Sequence, residues 1–270
     1  MQLKQAHVLL TGASGGLGQA LAEQLVSAGA KVLMAGRDGN TLAALQQQLG
    51  AATRSVVADL NTPEGLDQTA KSAITFNVNT LINNAGISAF GLLEQQTWPV
   101  IEQLLNTNLL APMRLTHALL AHLKAQPQAA VLNVGSAFGS IPFAGFAAYS
   151  SAKAGLRGFS QSLRRELADT QVAVIHVAPR AIATPLNSAA VNALNTALHN
   201  HSDSAQAVAQ QIVRALTQGA SEVHIGFPER LFAWLNGFAP SLVDRGLAGK
   251  LATIQQYAHL SNPTQPGTNP

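Results

Sequence analysis

Residues 6–28 read AHVLLTGASGGLGQALAEQLVSA: an apolar run, a glycine-rich turn and an alanine- and leucine-rich run follow one another with no gap. The first run, Ala6 to Thr11, has the character of a buried strand, and the last, Leu17 to Ala28, that of a helix. Between them the spacing is T-G-x-x-x-G-x-G. Gly12, Gly16 and Gly18 lack the Cβ that would block a close-approaching pyrophosphate or the packing of helix on strand. The helix start adds backbone N–H donors and a positive dipole. A plain helix cap would also use glycine, but strand, turn and helix in this order are the context that a dinucleotide-binding loop requires.

The same alternation runs through the chain. Strands are predicted at Lys31–Ala35, Ala52–Leu60, Thr80–Asn83, Val131–Val134, Gln171–Ala178 and Glu222–Ile225. Helices are predicted at Asn40–Leu49, Thr62–Phe76, Glu94–Ala125 with Pro112 as a break or kink, Tyr149–Leu167 and Ser204–Gln218. With no repeat and no Pro/Ser-rich linker, this order specifies an α/β fold: a Rossmann-like doubly wound parallel sheet in a single domain over residues 1–226, with a helical extension over 227–258 and a disordered tail over 259–270. Composition permits a large core, since 47% of residues are hydrophobic and only 11% charged. The net charge of +3 is scattered, which argues against a nucleic-acid surface. Cysteine is absent and the eight histidines show no ligand spacing, so no metal site is expected. The apolar run near the start is too short for a signal peptide or anchor, so a cytoplasmic protein is expected.

Chemistry concentrates in VLNVGSAFGSIPFAGFAAYSSAKAGLRGF, residues 131–159. Tyr149 and Lys153 stand four apart, on one face of the predicted helix, and Ser136 follows the strand before it. A free phenol, with a pKa near ~10, is a poor base at neutral pH; a nearby ammonium favours the phenolate and is expected to lower that value. Tyr149 can then exchange a proton with a carbonyl or alcohol held by Ser136. The remaining candidates sit where strands end. Gly36-Arg37, in place of an acid, suits the 2′-phosphate of NADP better than the free ribose hydroxyl of NAD. Asp59 falls where an adenine would lie, and Asn84 begins a turn over the cofactor or merely ends a strand. Asn108 is either an exposed helix asparagine or a core amide whose backbone carbonyl holds a water behind the lysine. The backbone of Ile182 and the hydroxyl of Thr184 suit a nicotinamide carboxamide, and the polar stretch 187–202 suits a mobile lid.

With these residues assembled, the chain resembles the classical short-chain dehydrogenase/reductase family over about Lys4 to Gly226. The motifs that carry the resemblance are TGASGGLG, the NNAG of Asn83–Gly86, Ser136 thirteen residues before Tyr149, and YSSAK at Tyr149–Lys153. The resemblance implies a catalytic tetrad of Asn108, Ser136, Tyr149 and Lys153. It also implies cofactor contacts at Gly12, Ser14, Gly16, Gly18, Arg37, Asp59, Asn84, Tyr149, Lys153, Ile182 and Thr184. An NADP-dependent oxidoreductase acting on a largely apolar ketone or 3-oxoacyl-type substrate is the expected activity, and a non-catalytic cofactor-binding sensor or scaffold the alternative. One departure is Pro179-Arg180 where the family has Pro-Gly, which brings a bulky cation beside the nicotinamide or substrate.

Two apolar stripes remain. Phe159, Leu163 and Leu167 recur on the Tyr149 helix as either a sheet-facing stripe or a second surface, and the family implies pairing of this helix into a homodimer or homotetramer. Leu231, Leu235 and Phe238, with Leu242, Leu247 and Leu251 beyond Pro240, are read as packing on this or a sister chain, as lining of a lipophilic cleft, or as a membrane-surface face.

Overall fold

The computed structural model of the chain describes residues 1–261. Strands β1 (His7–Thr11), β2 (Lys31–Gly36), β3 (Thr53–Val57), β4 (Thr80–Asn83), β5 (Ala129–Val134) and β6 (Val172–Ala178) are followed by the two-residue β7 (Ile182–Ala183) and β8 (Asp203–Ser204), and then by β9 (Glu222–His224). Seven of them form one sheet in the order β3-β2-β1-β4-β5-β6-β9, parallel throughout. The short β7 and β8 pair in parallel apart from it.

Side-chain alternation explains why these runs are apolar at every position. Val8 and Leu10 of β1, Val32 and Met34 of β2, and Leu132 and Val134 of β5 enter one core. Their neighbours Leu9, Leu33 and Val131 enter the other. The first core is closed by α1 (Gly16–Ser27), α2 (Gly39–Leu49) and α8 (Ala205–Gln218), through Leu21, Leu42 and Ile212. The second is closed by α3 (Pro63–Thr75), α5 (Ala111–Lys124) and α6 (Ala147–Glu166), through Leu66, Leu119 and Leu163. This is the Rossmann-like architecture expected from the sequence.

Several expectations need correction. The predicted helix over 94–125 is α4 (Trp98–Leu105), a π-helical turn at Asn106–Leu110 and then α5. Pro112 has no N–H to return to the carbonyl of Asn108, four residues earlier, and the irregular turn lies at that place. The stripe Phe159, Leu163 and Leu167 faces the sheet and not a second surface: Leu163 and Leu167 are buried in the second core and Phe159 packs on it. The stretch 187–202 is not unanchored. It contains α7 (Ala189–Ala197), capped by Ser188, and buries Val191 and Leu194 against Phe143, Phe146 and Ile254. The extension is three helices, α9 (Phe227–Phe238), α10 (Pro240–Ala248) and α11 (Leu251–Ser261). Residues 259–261 therefore belong to α11 and not to a tail, and the rest of the expected tail lies outside the described residues.

A chain of buried amides crosses the middle of the sheet towards α6. Asn83 Nδ2 donates to Asn133 Oδ1 at 2.8 Å and to Thr116 Oγ1 at 3.3 Å, Asn133 Nδ2 donates to Ser160 Oγ at 2.8 Å, and Ser160 donates to Leu156 O at 2.7 Å. Asn83 and Asn133 are register partners, so the side-chain bond follows from the ladder. Replacing Asn133→Ala removes the central link and leaves Asn83 Nδ2 and Ser160 Oγ each one partner short, at a cost of about 2 kcal/mol in unfolding free energy. Urea denaturation checks this, and a loss under about 0.5 kcal/mol, a typical surface substitution, counts against the chain as a structural element.

Candidate active site

Strand order reverses between β1 and β4, and helices leave their carboxyl ends to opposite faces of the sheet; a crevice opens there. The crevice is continuous with a cleft of about 1210 Å³ that runs to the C-terminal helices. Thr11 ties its two sides together. Its Oγ1 accepts from the backbone N–H groups of Asn84 and Ala85, both at 3.0 Å, and donates to Ile82 O at 3.3 Å. Asn84 Nδ2 in turn donates to Thr11 O and Gly12 O, at 3.0 and 3.3 Å. Gly12, at φ +65°, passes so close that a Cβ would stand 2.7 Å from Ala85 Cα.

The glycine loop delivers α1 to this crevice without a side-chain cap. Four helices satisfy a first amide with a side chain, Asp38 on α2, Thr62 on α3, Ser188 on α7 and Ser204 on α8, whereas α4, α6, α9 and α10 share with α1 the lack of such a cap. The first turn of α1, with Gly16 and Gly18, lines the cleft. Uncapped amides at a helix N-terminus fit a pyrophosphate. A Cβ on Gly18 would stand 2.1 Å from Gly12 O, so the loop tolerates only glycine there.

At the end of β2, Arg37 is exposed on the cleft wall beside Ser14. The acid next to it, Asp38, lines the same cleft, and its carboxylate is engaged as the cap of α2, accepting from Asn40 N and Thr41 N at 3.0 and 3.1 Å. Bonds from the Thr41 hydroxyl and amide hold its carboxyl below the usual range. Asp59 also lines the cleft and accepts from Asn61 N and Nδ2, both at 3.0 Å.

β5 and α6 supply the polar trio. Ser136 caps a short 3-10 turn, accepting from Phe138 N at 3.2 Å, and hydrogen-bonds with Tyr149. Phe138 and Phe146 stand against the Tyr149 ring, with centroids 6.4 and 6.2 Å away. Burial holds the Tyr149 phenol above its ordinary value, and the Ser136 bond draws it back only in part. Lys153 Nζ lies 5.8 Å from the ring centroid and donates to Val134 O at 3.0 Å. The expected lowering of the phenol by this lysine is not realised here; desolvation outweighs it. Burial brings Lys153 itself down to about 8.

Each residue named from sequence as a cofactor contact lines this one cleft, and Ser136 joins them. Asn108 does not. It is fully buried, and its Oδ1 accepts from Ile87 N while its Nδ2 donates to Ile87 O, both at 2.8 Å. The amide therefore pins the loop after β4. It also borders Lys153: a Cβ on Gly86 would be 3.1 Å from Asn108 Oδ1 and 3.6 Å from Lys153 Nζ.

Ile182 lies in β7, and its carbonyl accepts from Thr184 N and Asn187 Nδ2, both at 2.9 Å. The Thr184 methyl approaches the place where a Cβ on Gly16 would sit, at 3.1 Å. Arg180 does not point a bare cation at the cleft. Its Nε and Nη2 donate to the two carboxylate oxygens of Asp203 at 2.9 and 2.8 Å, and Nη1 lies 3.7 Å from Glu229 Oε2. Sequence reading passed over Thr11, Asp38, Phe138, Asp203 and Glu229. Only Asp38 had a local signal, an N-cap residue one position ahead of a helix. Among the described residues, no cluster of His, Asp or Glu could hold a metal ion.

A family model described as short chain dehydrogenase matches residues 6–195. The chain belongs to the short-chain dehydrogenase family. It is similar to the 3-oxoacyl-(acyl-carrier-protein) reductase FabG of Vibrio cholerae, at 36% identity over 192 residues, 70% of this chain and 78% of the relative. An uncharacterized oxidoreductase of Bacillus subtilis, YxnA, is 32% identical over 276 residues, 98% of this chain and 77% of that one. A short chain dehydrogenase of Burkholderia cenocepacia superposes with a TM-score of 0.79 at 24% identity, over 92% of this chain and 99% of the other, a likeness of fold.

Buried Lys153 makes this dehydrogenase carry a cost that pH reveals. Its folded pKa is depressed to about 8 from 10.5, so between those values the unfolded chain binds more protons and stability from this group grows as pH rises. At pH 7 the full penalty is present. Lys153→Met, which keeps the volume and drops the charge, is expected to match or exceed the parent by about 1–2 kcal/mol at pH 7, after allowance for the lost bond to Val134. That advantage should shrink at pH 10. Thermal unfolding of both forms at the two pH values checks the sign, and a variant much less stable at pH 7 overturns it.

Proposed function

We propose that this protein is an NADP(H)-dependent oxidoreductase that interconverts a carbonyl and a secondary alcohol. The observation that carries this reading is the Ser136–Tyr149 pair, hydrogen-bonded on an apolar cleft wall with the buried Lys153 ammonium behind it. The fit of the cofactor rests on the uncapped α1 terminus and the glycine cradle. A nicotinamide, when bound, supplies or accepts the hydride. Tyr149 donates its phenolic proton to the carbonyl oxygen in reduction and takes it back in oxidation. Ser136 holds that oxygen by hydrogen bond. Lys153 holds the ribose and lowers the cost of charge on the phenol oxygen, and Asn108 supports a proton relay behind it. A phenol kept protonated by burial is poised as the acid, which suits reduction.

Solved neighbours of this fold hold NADP in two cases and NADH in another, so the preference for NADP rests on Arg37, with the Asp38 carboxylate engaged in capping α2. Phe138, Ile141, Phe143, Phe146 and Leu235 give the cleft an apolar substrate side, which supports a largely apolar ketone or a 3-oxoacyl-type compound. A homodimer or homotetramer belongs to the same reading. With the α6 stripe turned inward, its support within the structure passes to Leu110 and Met113, partly exposed at the π turn and on α5. Among the described residues no helix is long and apolar enough to cross a membrane, and we place the protein in the cytoplasm.

Tyr149→Phe is expected to lower kcat/KM for NADPH consumption about a thousandfold across ketones, aldehydes and 3-oxoacyl thioesters, while NADPH binding followed by fluorescence persists. Turnover that survives the substitution defeats the assigned role. Binding without turnover in the parent on every substrate favours a cofactor-binding sensor. Arg37→Asp separates the cofactors: it should weaken NADP about thirtyfold, the equivalent of ~2 kcal/mol for a charge-assisted contact, and leave NAD little changed. Equal NADP dissociation constants in parent and variant remove Arg37 from the site.

A further inference from the structure

Helix α9 is amphipathic in the wrong sense for a helix that only covers its own domain. Phe227, Leu231, Trp234 and Phe238 recur at i, i+4, i+7 and i+11, within one narrow stripe, and they are 73, 52, 65 and 81% exposed. Trp234 and Phe238 stack on each other in the open, with centroids 6.0 Å apart and planes at 3°. Two polar residues of the helix point the other way: Asn236 Nδ2 donates to Ser140 O at 2.9 Å, and Glu229 lies 3.7 Å from Arg180. On that inner side Phe232 and Leu235 line the cleft. From Leu231 to Phe238 no residue is charged, so α9 is an apolar wall between cleft and surroundings.

We propose that the outer face of α9 is a docking surface for an anionic lipid bilayer. Charge supports that occupant. Between Phe227 and Lys250 the cations are Arg230, Arg245 and Lys250 and the acids Glu229 and Asp244. Glu229 and Lys250 line the cleft, so on the outside of the segment Arg230 and Arg245 stand against Asp244. Aromatic and leucine side chains on one face with basic residues beside them are what an interfacial helix presents to headgroups and acyl chains. Docked by this face, the protein would take a lipophilic carbonyl compound from the bilayer through the apolar α9–α10 edge, where Leu242 is both exposed and cleft-lining. That last step rests on the activity proposed above, whereas binding to lipid does not.

The test is co-sedimentation of the full chain with vesicles of phosphatidylcholine alone and of phosphatidylcholine with phosphatidylglycerol, beside the double variant Trp234→Ser, Phe238→Ser. Both positions are exposed, so the variant should keep the parent's melting temperature and NADPH binding. The parent is expected to pellet with the anionic vesicles, less so at high salt, and the variant to partition about tenfold or more weakly. Emission from Trp234 should shift to the blue on binding in a Trp98→Phe background, which removes the other tryptophan. A chain that stays in the supernatant with both vesicle types overturns the proposal, as does equal binding by the double variant. A light-scattering dimer that dissociates in the double variant overturns it in favour of a second copy. All of these readouts omit turnover, so they fail or succeed independently of the assigned reaction.

Discussion

The site depends on how the chain closes the gap at the reversal of strand order. Past Leu10 and Ile82 the ladder between β1 and β4 ends, and backbone groups on both sides need other partners. One hydroxyl, that of Thr11, takes two amides from the β4 side, and one amide side chain, that of Asn84, returns two bonds to the β1 side. The knot fixes the glycine loop against the turn Asn84–Gly86, and with it the direction in which α1 presents its amides. The trio on β5 and α6 is then placed by the next strand over, whose register with β4 is sealed by the Asn83–Asn133 bond. Cofactor loop and reacting groups thus share one rigid floor.

What could be read from sequence was whatever a local period or a special backbone residue determines. Gly12 and Gly18 announce close approaches that only glycine allows, and helical spacing alone puts Tyr149 and Lys153 on one face. Strand runs were legible because burial on both faces leaves apolar residues at every position. Periodicity marks a stripe but not what the stripe meets. Phe159, Leu163 and Leu167 turned out to face the sheet, whereas α9 shows its stripe to the outside. The sign of Tyr149's shift was illegible for a similar reason: it is set by burial, to which Phe138 and Phe146 contribute from outside the helix, against the bond from Ser136. Directly after α4, the π turn places Asn108 inward; Pro112 hinted at an irregularity, but not at its kind.

Buried charge and buried polarity are used differently in the two halves of the site. The Asn83–Asn133–Ser160 chain is satisfied and neutral, so it specifies packing at little cost. Lys153 is an ammonium within an apolar shell with one carbonyl partner given by the protein, and its lowered pKa measures the resulting penalty. Such a group detracts from stability, as the proposed chemistry at this position would require.

Arg180 closes a loop in the topological sense. With Asp203 it joins the chain just before β7 to the chain at β8, and the two-rung β7–β8 pairing lies directly above that joint. The segment between, which carries Thr184 and α7 over the cleft, is therefore tethered at both ends by one bidentate ion pair. Tethered ends remove most of the conformations a free segment would explore when α7 lifts from Phe143 and Phe146, so the entropy gained on opening is small. Return is then a short local closure of the kind that takes place well below the millisecond scale, in place of a search. A glycine at position 180 would leave that joint to the backbone pairing of β7 with β8 alone, a looser tether for the same segment.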